Sequence, residues 1–310
     1  MHTILGSNGI IGQELAKVLR TDYTEDIRLV SRNPRKVHPA DTLMKGNLLY
    51  RDQVQDVLEN TSIAYLTVGL PYRSDVWIRN WPIILRNVVD ACRANGCKLV
   101  YFDNTYLYPQ DSLIQKEDTP LNPDGKKGQA RKIAAEIVLD AIAKKHIEAS
   151  IVRAPEFYGP GKTIGITNAL VFENLKKGKR PMIFLRDDVK RTLIYTPDAG
   201  RAMAMIANKT DTYSQTWHLP CDDQRLTFEQ FIREISNQLD REVKYRVIGK
   251  PLARIFGFFN RNVRETLELL PRYAIDNIFD SSKFKSRFPE FKITTYQQGI
   301  KNIIEDYGIE

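Results

Sequence analysis

The first half of the chain alternates short apolar runs with stretches whose apolar residues recur every three or four positions. His2-Thr3-Ile4-Leu5 reads as a strand, and Ile11, Leu15, Val18 and Leu19 then line one helical face. The alternation continues. Residues 26–30 (DIRLV) and 42–46 (TLMKG) read as the second and third strands, followed by a helix through Val54 and Leu58. Residues 62–69 (SIAYLTVG) read as a fourth strand before a helix from Ser74 to Ala94. A fifth, 98–103 (KLVYFD), precedes a helix from Gly128 to His146, and 149–154 (ASIVRA) is the sixth. Strands separated by helices require right-handed crossovers, so the spacing predicts an α/β fold with a Rossmann-type doubly wound parallel sheet.

After Gly161 the pattern loosens. Residues 181–185 (PMIFL) and 191–196 (RTLIYT), joined across Arg186-Asp187-Asp188, read as a hairpin or as two short strands. Thr227 and Gln230 have the spacing of a capping box that opens a helix through Leu239. Residues 253–270 (ARIFGFFNRNVRETLELL) read as helical, with most side chains expected to pack a small C-terminal core. No repeat or low-complexity linker divides the chain. The expected organisation is a dinucleotide-binding domain over 1–160, to which the chain returns near 190–207 and 275–282. A smaller, mostly C-terminal substrate lobe over 161–310 would dock on it across a cleft.

Composition narrows the functional classes. Hydrophobic content of 42% and charged content of 27% over 310 residues suit a soluble globular protein. No apolar run approaches the roughly 18 residues of a membrane span, so no membrane partner is expected. A strand beginning at residue 2 leaves no room for a signal peptide, which predicts a cytoplasmic protein. Cys92, Cys97 and Cys221 have neither zinc-knuckle nor CxxC spacing and read as reduced thiols, with no metal site. The net charge is +8, but the basic residues are scattered among 38 acidic ones. Their clusters at 32–36, 125–132 and 176–180 are short and lack interleaved aromatics. They read as solvated surface or as sites for a small phosphate-rich ligand, not for nucleic acid.

The sharpest chemical signal is LGSNGIIGQEL at 5–15. Gly6 permits the tight turn after the first strand, Gly9 lets backbone approach a pyrophosphate, and Gly12 lets helix and strand pack closely. The loop Gly6, Ser7, Asn8, Gly9, Ile10, Ile11, Gly12 thus reads as a phosphate cradle whose N–H groups open a helix. After the second strand, where a site for NAD carries an acid, stand Ser31 and Arg32, with Arg35 and Lys36 close behind. A cation tolerates the extra 2′-phosphate, so NADP is expected in preference to NAD.

The glycine spacing GxxGxxG resembles that of the extended short-chain dehydrogenase/reductase superfamily, which includes the NAD-dependent epimerases and dehydratases of nucleotide sugars. Several segments share the resemblance. Asn47-Leu48 resembles the Asp-Leu that reads the adenine ring. Val68, Gly69 and Leu70, within TVGLP (67–71), resemble the strand end that passes the cofactor. RAPEFYGPG (153–161), with Pro155 and Phe157, is similar to the segment that curls beside the nicotinamide. RTLIYTPDAGRAM (191–203) and FDSSKFKSRFPEFKITTYQQGIKNIIEDY (279–307) resemble the family's return strand and C-terminal end. Arg191 resembles the arginine that holds a sugar-nucleotide phosphate, and the family's long helices imply a homodimer.

The catalytic motifs depart from the family's. Aligning Tyr108 with the tyrosine of the family's V-Y-G puts Asn104 where a Ser or Thr would bond the substrate oxygen; an amide still polarises a carbonyl. In the family's Y-x-x-x-K motif the tyrosine is the general acid/base, while the lysine binds ribose. Setting Glu136 against the family's glutamate places Lys132 at the lysine and Gly128 at the tyrosine. A register shift of one puts Arg131 in place of Lys132, and no small shift recovers a tyrosine. Candidate proton donors are Tyr106, Lys127 or an ordered water.

Three functions remain open. The favoured one is an NADP-dependent oxidoreductase or epimerase-like enzyme acting on a small carbonyl or hydroxyl substrate with altered acid/base chemistry. The others are a redox-silent NADP-binding sensor and a nucleotide-sugar epimerase or dehydratase.

Overall fold

The computed structural model describes residues 1–111 and 113–310, with Asn262 described by its backbone alone. Its elements begin with β1 (His2–Leu5), α1 (Ile10–Asp22), β2 (Ile27–Ser31), β3 (Thr42–Lys45), α2 (Arg51–Leu58) and β4 (Ile63–Leu66). Next come α3 (Ser74–Asn95), β5 (Lys98–Asn104), α4 (Lys126–Ala143) and β6 (Ala149–Ala154). The chain continues through β7 (Glu156–Tyr158), α5 (Glu173–Lys176), β8 (Met182–Phe184), β9 (Leu193–Tyr195), α6 (Thr196–Ala207) and β10 (Gln215–His218). It ends with α7 (Phe228–Gln238), β11 (Arg246–Ile248), α8 (Lys250–Phe259), α9 (Arg261–Thr266), α10 (Ser282–Arg287) and α11 (Tyr296–Tyr307).

The chain divides into two compact units. Unit 1 holds residues 1–108, 120–154 and 199–219; unit 2 holds 109–119, 155–198 and 220–310. Unit 1 is built on a seven-stranded sheet in the order β10-β6-β5-β4-β1-β2-β3, with every neighbouring pair parallel. The sheet is the doubly wound Rossmann type that the strand–helix alternation predicts, with its order reversing at β1 and β4. The six strands read from periodicity are present, and β10 is a seventh. Its sequence, Gln215-Thr216-Trp217-His218, is short and mostly polar, which hides it from a hydrophobic pattern. Pairing with β6 nevertheless buries Trp217 and His218.

Burial on both faces explains the apolar composition of the central strands. Ile4, Leu5, Leu29, Val30, Leu99, Val100, Ile151 and Val152 are all fully buried. The α3 helix packs Trp77, Trp81, Ile84, Leu85 and Val88 into one core with Leu5, Val30, Leu99 and Ile151.

Unit 2 decides one open reading and corrects another. Residues 181–185 and 191–196 do form short strands, but not a hairpin: β8 pairs parallel with β11, and β9 parallel with β7. Leu185 takes a left-handed φ of 59° and its N–H donates to Ile248 O at 3.0 Å, which continues the pairing of β8 with β11. The aromatic stretch at 253–270 is helical, yet Phe256, Phe258 and Phe259 are exposed, not packed in a core. The unit's core instead gathers Tyr158, Phe172, Phe231 and Tyr296, with ring centroids 5.5 to 6.1 Å apart. The capping box at Thr227 and Gln230 is formed in both directions.

Candidate functional site

At the carboxyl end of β1 the chain turns straight into α1, and the glycines do three different things. Gly6 has φ +95°, and a β-carbon there would lie 2.5 Å from Val68 Cα, so β1 and β4 close against each other only around a glycine. Gly12 is pressed into the first turn of α1, where a β-carbon would stand 3.0 Å from Ser7 Cα and from Thr67 Oγ1. Gly9 is open, with nothing nearer than Gly6 O at 3.5 Å. It caps α1 without a side-chain bond, and the first turn carries no acid. The helix therefore presents unsatisfied N–H groups and its positive end at an uncovered backbone, an arrangement that fits a pyrophosphate.

Neighbouring loops are tied to this turn. Asn8 Nδ2 donates to Asn33 O at 2.7 Å, and Arg35 N donates to Asn8 Oδ1 at 3.1 Å. Ser7 is buried with its hydroxyl on Val30 O. Ser31 and Arg32 thus sit at the end of β2 beside the turn, Arg32 exposed. The nearest following carboxylate, Asp41, is already occupied by Arg20 and by the N–H groups of Val37 and His38. Asn47 folds its side chain onto Leu49 N, while Leu48 is buried with its carbonyl held by Asn87. Val68, Gly69 and Leu70 leave β4 at the same sheet edge, Gly69 exposed.

At the end of β5 the polar groups gather differently from the family's motif. Asn104 Oδ1 accepts Tyr106 N at 2.9 Å, which leaves its NH₂ as a donor. The Tyr106 ring stacks on Trp77, with centroids 5.8 Å apart and planes 14° from parallel. Tyr72 OH donates to Tyr106 OH at 3.4 Å, and Lys127 Nζ lies 4.6 Å from the Tyr72 ring centroid. Lys127 is fully buried in the first turn of α4 and donates to Ser74 Oγ at 3.0 Å. The structure therefore brings Asn104, Tyr106 and Lys127 together, through Tyr72 and Ser74. Sequence reasoning missed these last two; their signal was the polar Tyr-Arg-Ser directly after the fourth-strand segment.

Gly128 faces this group. A β-carbon on it would stand 2.4 Å from Tyr106 O and 2.5 Å from Pro123 Cβ. Lys132, one helical turn on, is partly exposed, with Nζ 3.9 Å from Glu136 Oε1. Arg131 is turned inward. Its guanidinium is paired with Asp103 and lies 4.1 Å from the Trp81 ring centroid.

Arg153 Nε reaches the other Asp103 oxygen at 3.3 Å, and its NH1 donates to Tyr108 OH at 2.7 Å. Tyr108 OH in turn lies 2.7 Å from His218 Nε2. This buried network clamps the residue immediately before Asn104. Burial pushes the nearby Tyr101 hydroxyl well above its ordinary pKa, so that group stays protonated.

The remaining sequence candidates lie in unit 2. Arg191 is buried, with one nitrogen on Arg272 O, another 3.2 Å from Glu156 Oε2, and its guanidinium 4.0 Å from the Tyr273 ring centroid. Tyr273 OH also donates to Glu156. Pro155 and Phe157 flank Glu156 at the start of the unit's second segment, with Phe157 in β7.

No curated protein sequence matches the chain significantly. Solved structures resemble it over nearly their whole length at low identity. UDP-glucuronic acid 4-epimerase from Bacillus cereus, in complex with NAD, has a TM-score of 0.79 at 14% identity, covering 99% of each chain. The Bordetella bronchiseptica enzyme WbmH, in complex with NAD+, gives 0.76 at 17% identity, covering 99% of this chain and 98% of that one. DesIV, a dTDP-glucose 4,6-dehydratase from Streptomyces venezuelae with NAD bound, gives 0.78 at 12%, covering 99% and 97%. Residues 2–218 match the NAD dependent epimerase/dehydratase family. With more than half of its length so matched, the chain belongs to the NAD dependent epimerase/dehydratase family.

Proposed function

We propose that the chain is a nicotinamide-dinucleotide-dependent enzyme acting on nucleotide sugars, with its acid/base group supplied outside the family's Y-x-x-x-K motif. The observation that carries this reading is the approach of Gly128 to Tyr106. Where the resemblance places the motif tyrosine, the helix admits no side chain, and it is the turn carrying another tyrosine that closes upon it. The likeness to a UDP-glucuronic acid 4-epimerase and a dTDP-glucose 4,6-dehydratase supports the substrate class.

A bound nicotinamide dinucleotide would supply hydride exchange with a sugar carbon. The chain's residues would do the rest. Gly6, Ser7, Asn8, Gly9, Ile10, Ile11 and Gly12 hold the pyrophosphate, Asn47 and Leu48 the adenine, and Val68, Gly69 and Leu70 line its passage. Lys132 holds ribose. Asn104 donates its amide to the substrate oxygen, and the Tyr106 hydroxyl gives or takes the proton. Lys127, on the face of Tyr72, offers positive charge to the tyrosine pair. Pro155 and Phe157 serve the nicotinamide end. Arg191 serves the substrate phosphate, which would compete with Glu156 for its guanidinium.

The choice of dinucleotide rests on Ser31 and Arg32, whose chemistry favours NADP. The solved relatives named above hold NAD, which makes NAD the competing outcome. A homodimer through α3 and α4 is supported by exposed Ile78, Ile83, Ile133 and Leu139 on those helices.

The test is direct. The protein is incubated with NAD or NADP and with UDP-glucose, UDP-glucuronic acid or dTDP-glucose, and the sugar products are read by NMR. Conversion that falls at least a hundredfold in Tyr106→Phe, with dinucleotide affinity retained, supports the proposal. Tight dinucleotide binding without any hydride exchange would instead identify a redox-silent sensor, consistent with the missing motif tyrosine.

A further inference from the structure

The α8 helix has the reverse of the usual surface-helix pattern. Its inward face is marked by Ala253 and Gly257, both buried. A β-carbon at Gly257 would lie 3.0 Å from Leu267 Cδ1 and 3.2 Å from Arg264 Cα, so the helix packs closely on this side. The outward arc carries Leu252, Ile255, Phe256, Phe258 and Phe259, which are 43, 55, 47, 81 and 82% exposed. Small residues face in and the large apolar ones face water. A contiguous apolar surface of this kind marks an interaction site.

Its charge environment says what kind. Lys244, Arg246, Lys250, Arg254, Arg261 and Arg264 are all exposed, and no carboxylate lies between Glu242 and Glu265. Lys250 and Arg254 lie on α8 itself, so pairing two copies of this helix would bring like charges together, in a chain already at net charge +8. An anionic lipid surface meets both features at once, because its headgroups attract the cations and its acyl boundary takes the aromatic rings.

We propose that α8 docks the protein on the surface of an anionic lipid bilayer, with Phe258 and Phe259 entering the acyl boundary and the flanking cations on the headgroups. The helix has ten residues and lies in the interface without crossing it. No helix among the described residues is long and apolar enough to cross a membrane. The expectation of no membrane partner rested on the lack of a spanning run, which an interfacial helix does not need.

The test is flotation of the full chain with phosphatidylcholine vesicles, with and without one-quarter phosphatidylglycerol, at low and high salt. The proposal expects co-flotation with the anionic vesicles alone, weakened by salt and reduced at least tenfold in the double variant Phe258→Ser with Phe259→Ser. Because both rings are exposed, the variant should keep the wild-type melting temperature, and circular dichroism checks this. A second variant, Lys250→Gln with Arg254→Gln, should lose salt-sensitive binding while keeping the rings. Absence of flotation at low salt overturns the proposal, as does equal flotation of wild type and ring variant. Sedimentation in which the ring variant dissociates a dimer, with no vesicle binding by either form, would assign the face to a second copy and equally overturn it.

Discussion

Gly128 stands so close to Tyr106 that a β-carbon would lie 2.4 Å from that residue's carbonyl oxygen. Pro123 Cβ would be 2.5 Å away on the other side. Neither neighbour is the flexible end of a side chain. The Tyr106 turn and Pro123 thus occupy the space that a side chain at position 128 would fill. Gly128→Ala should cost about 2 kcal/mol of stability, the usual scale of overpacking, read as a lower urea midpoint. Gly128→Tyr should cost more and should not raise turnover. A Gly128→Tyr variant that is stable and more active would show that the turn yields, and would sink the steric account.

Arg32 is exposed at the end of β2, while Asp41, the nearest carboxylate that follows, is taken up by Arg20 and two N–H groups. If Arg32 meets a 2′-phosphate, Arg32→Glu should weaken NADPH binding by at least tenfold and leave NADH within about threefold, by calorimetric titration. Equal losses for both dinucleotides would remove Arg32 from the ribose site.

Asp103 is fully buried between the guanidiniums of Arg131 and Arg153. Asp103→Asn would leave two buried cations without their counter-charge, so unfolding free energy should fall by about 3–5 kcal/mol. The same change loosens the residue that precedes Asn104, and kcat should fall with it. A variant as stable as wild type would show that the network is not held by this charge.

His2 has its pKa lowered to about 4, chiefly by burial and next by the N-terminal ammonium, against a smaller opposing pull from Asp26. The unfolded value is near 6.5, so the unfolded chain binds more protons between these limits. The stability this group contributes is fully present above about pH 6.5 and is lost as pH falls toward 4. His2→Asn should therefore flatten the decline in urea midpoint between pH 6.5 and 5. An unchanged slope would exclude His2 as its source.

The sequence by itself determined the α/β class, because strands buried on both faces must be apolar and their helices must show a 3.6-residue period. It also located the turn at Gly6, Gly9 and Gly12, of which Gly6 and Gly12 are crowded by neighbouring backbone while Gly9 leaves the backbone open. It could not show β10, a short and mostly polar strand whose Trp217 and His218 are buried where it pairs with β6. Nor could it show that the aromatic rings of α8 face outward, because a helix with Ala253 and Gly257 on its inner face has the composition of a core helix.

The candidate catalytic residues were legible only in part. Asn104 and Lys132 could be named by setting the chain against the family's motifs, and Tyr106 and Lys127 by their places near them, but such an alignment says nothing of which side chains are buried together. Tertiary structure decided that Lys127 and Arg131 turn inward while Lys132 stays partly exposed beside Glu136. It also brought Tyr72, some thirty residues earlier, to the Tyr106 hydroxyl. Such pairings depend on how separate crossovers end at one sheet edge, and a local pattern does not record that.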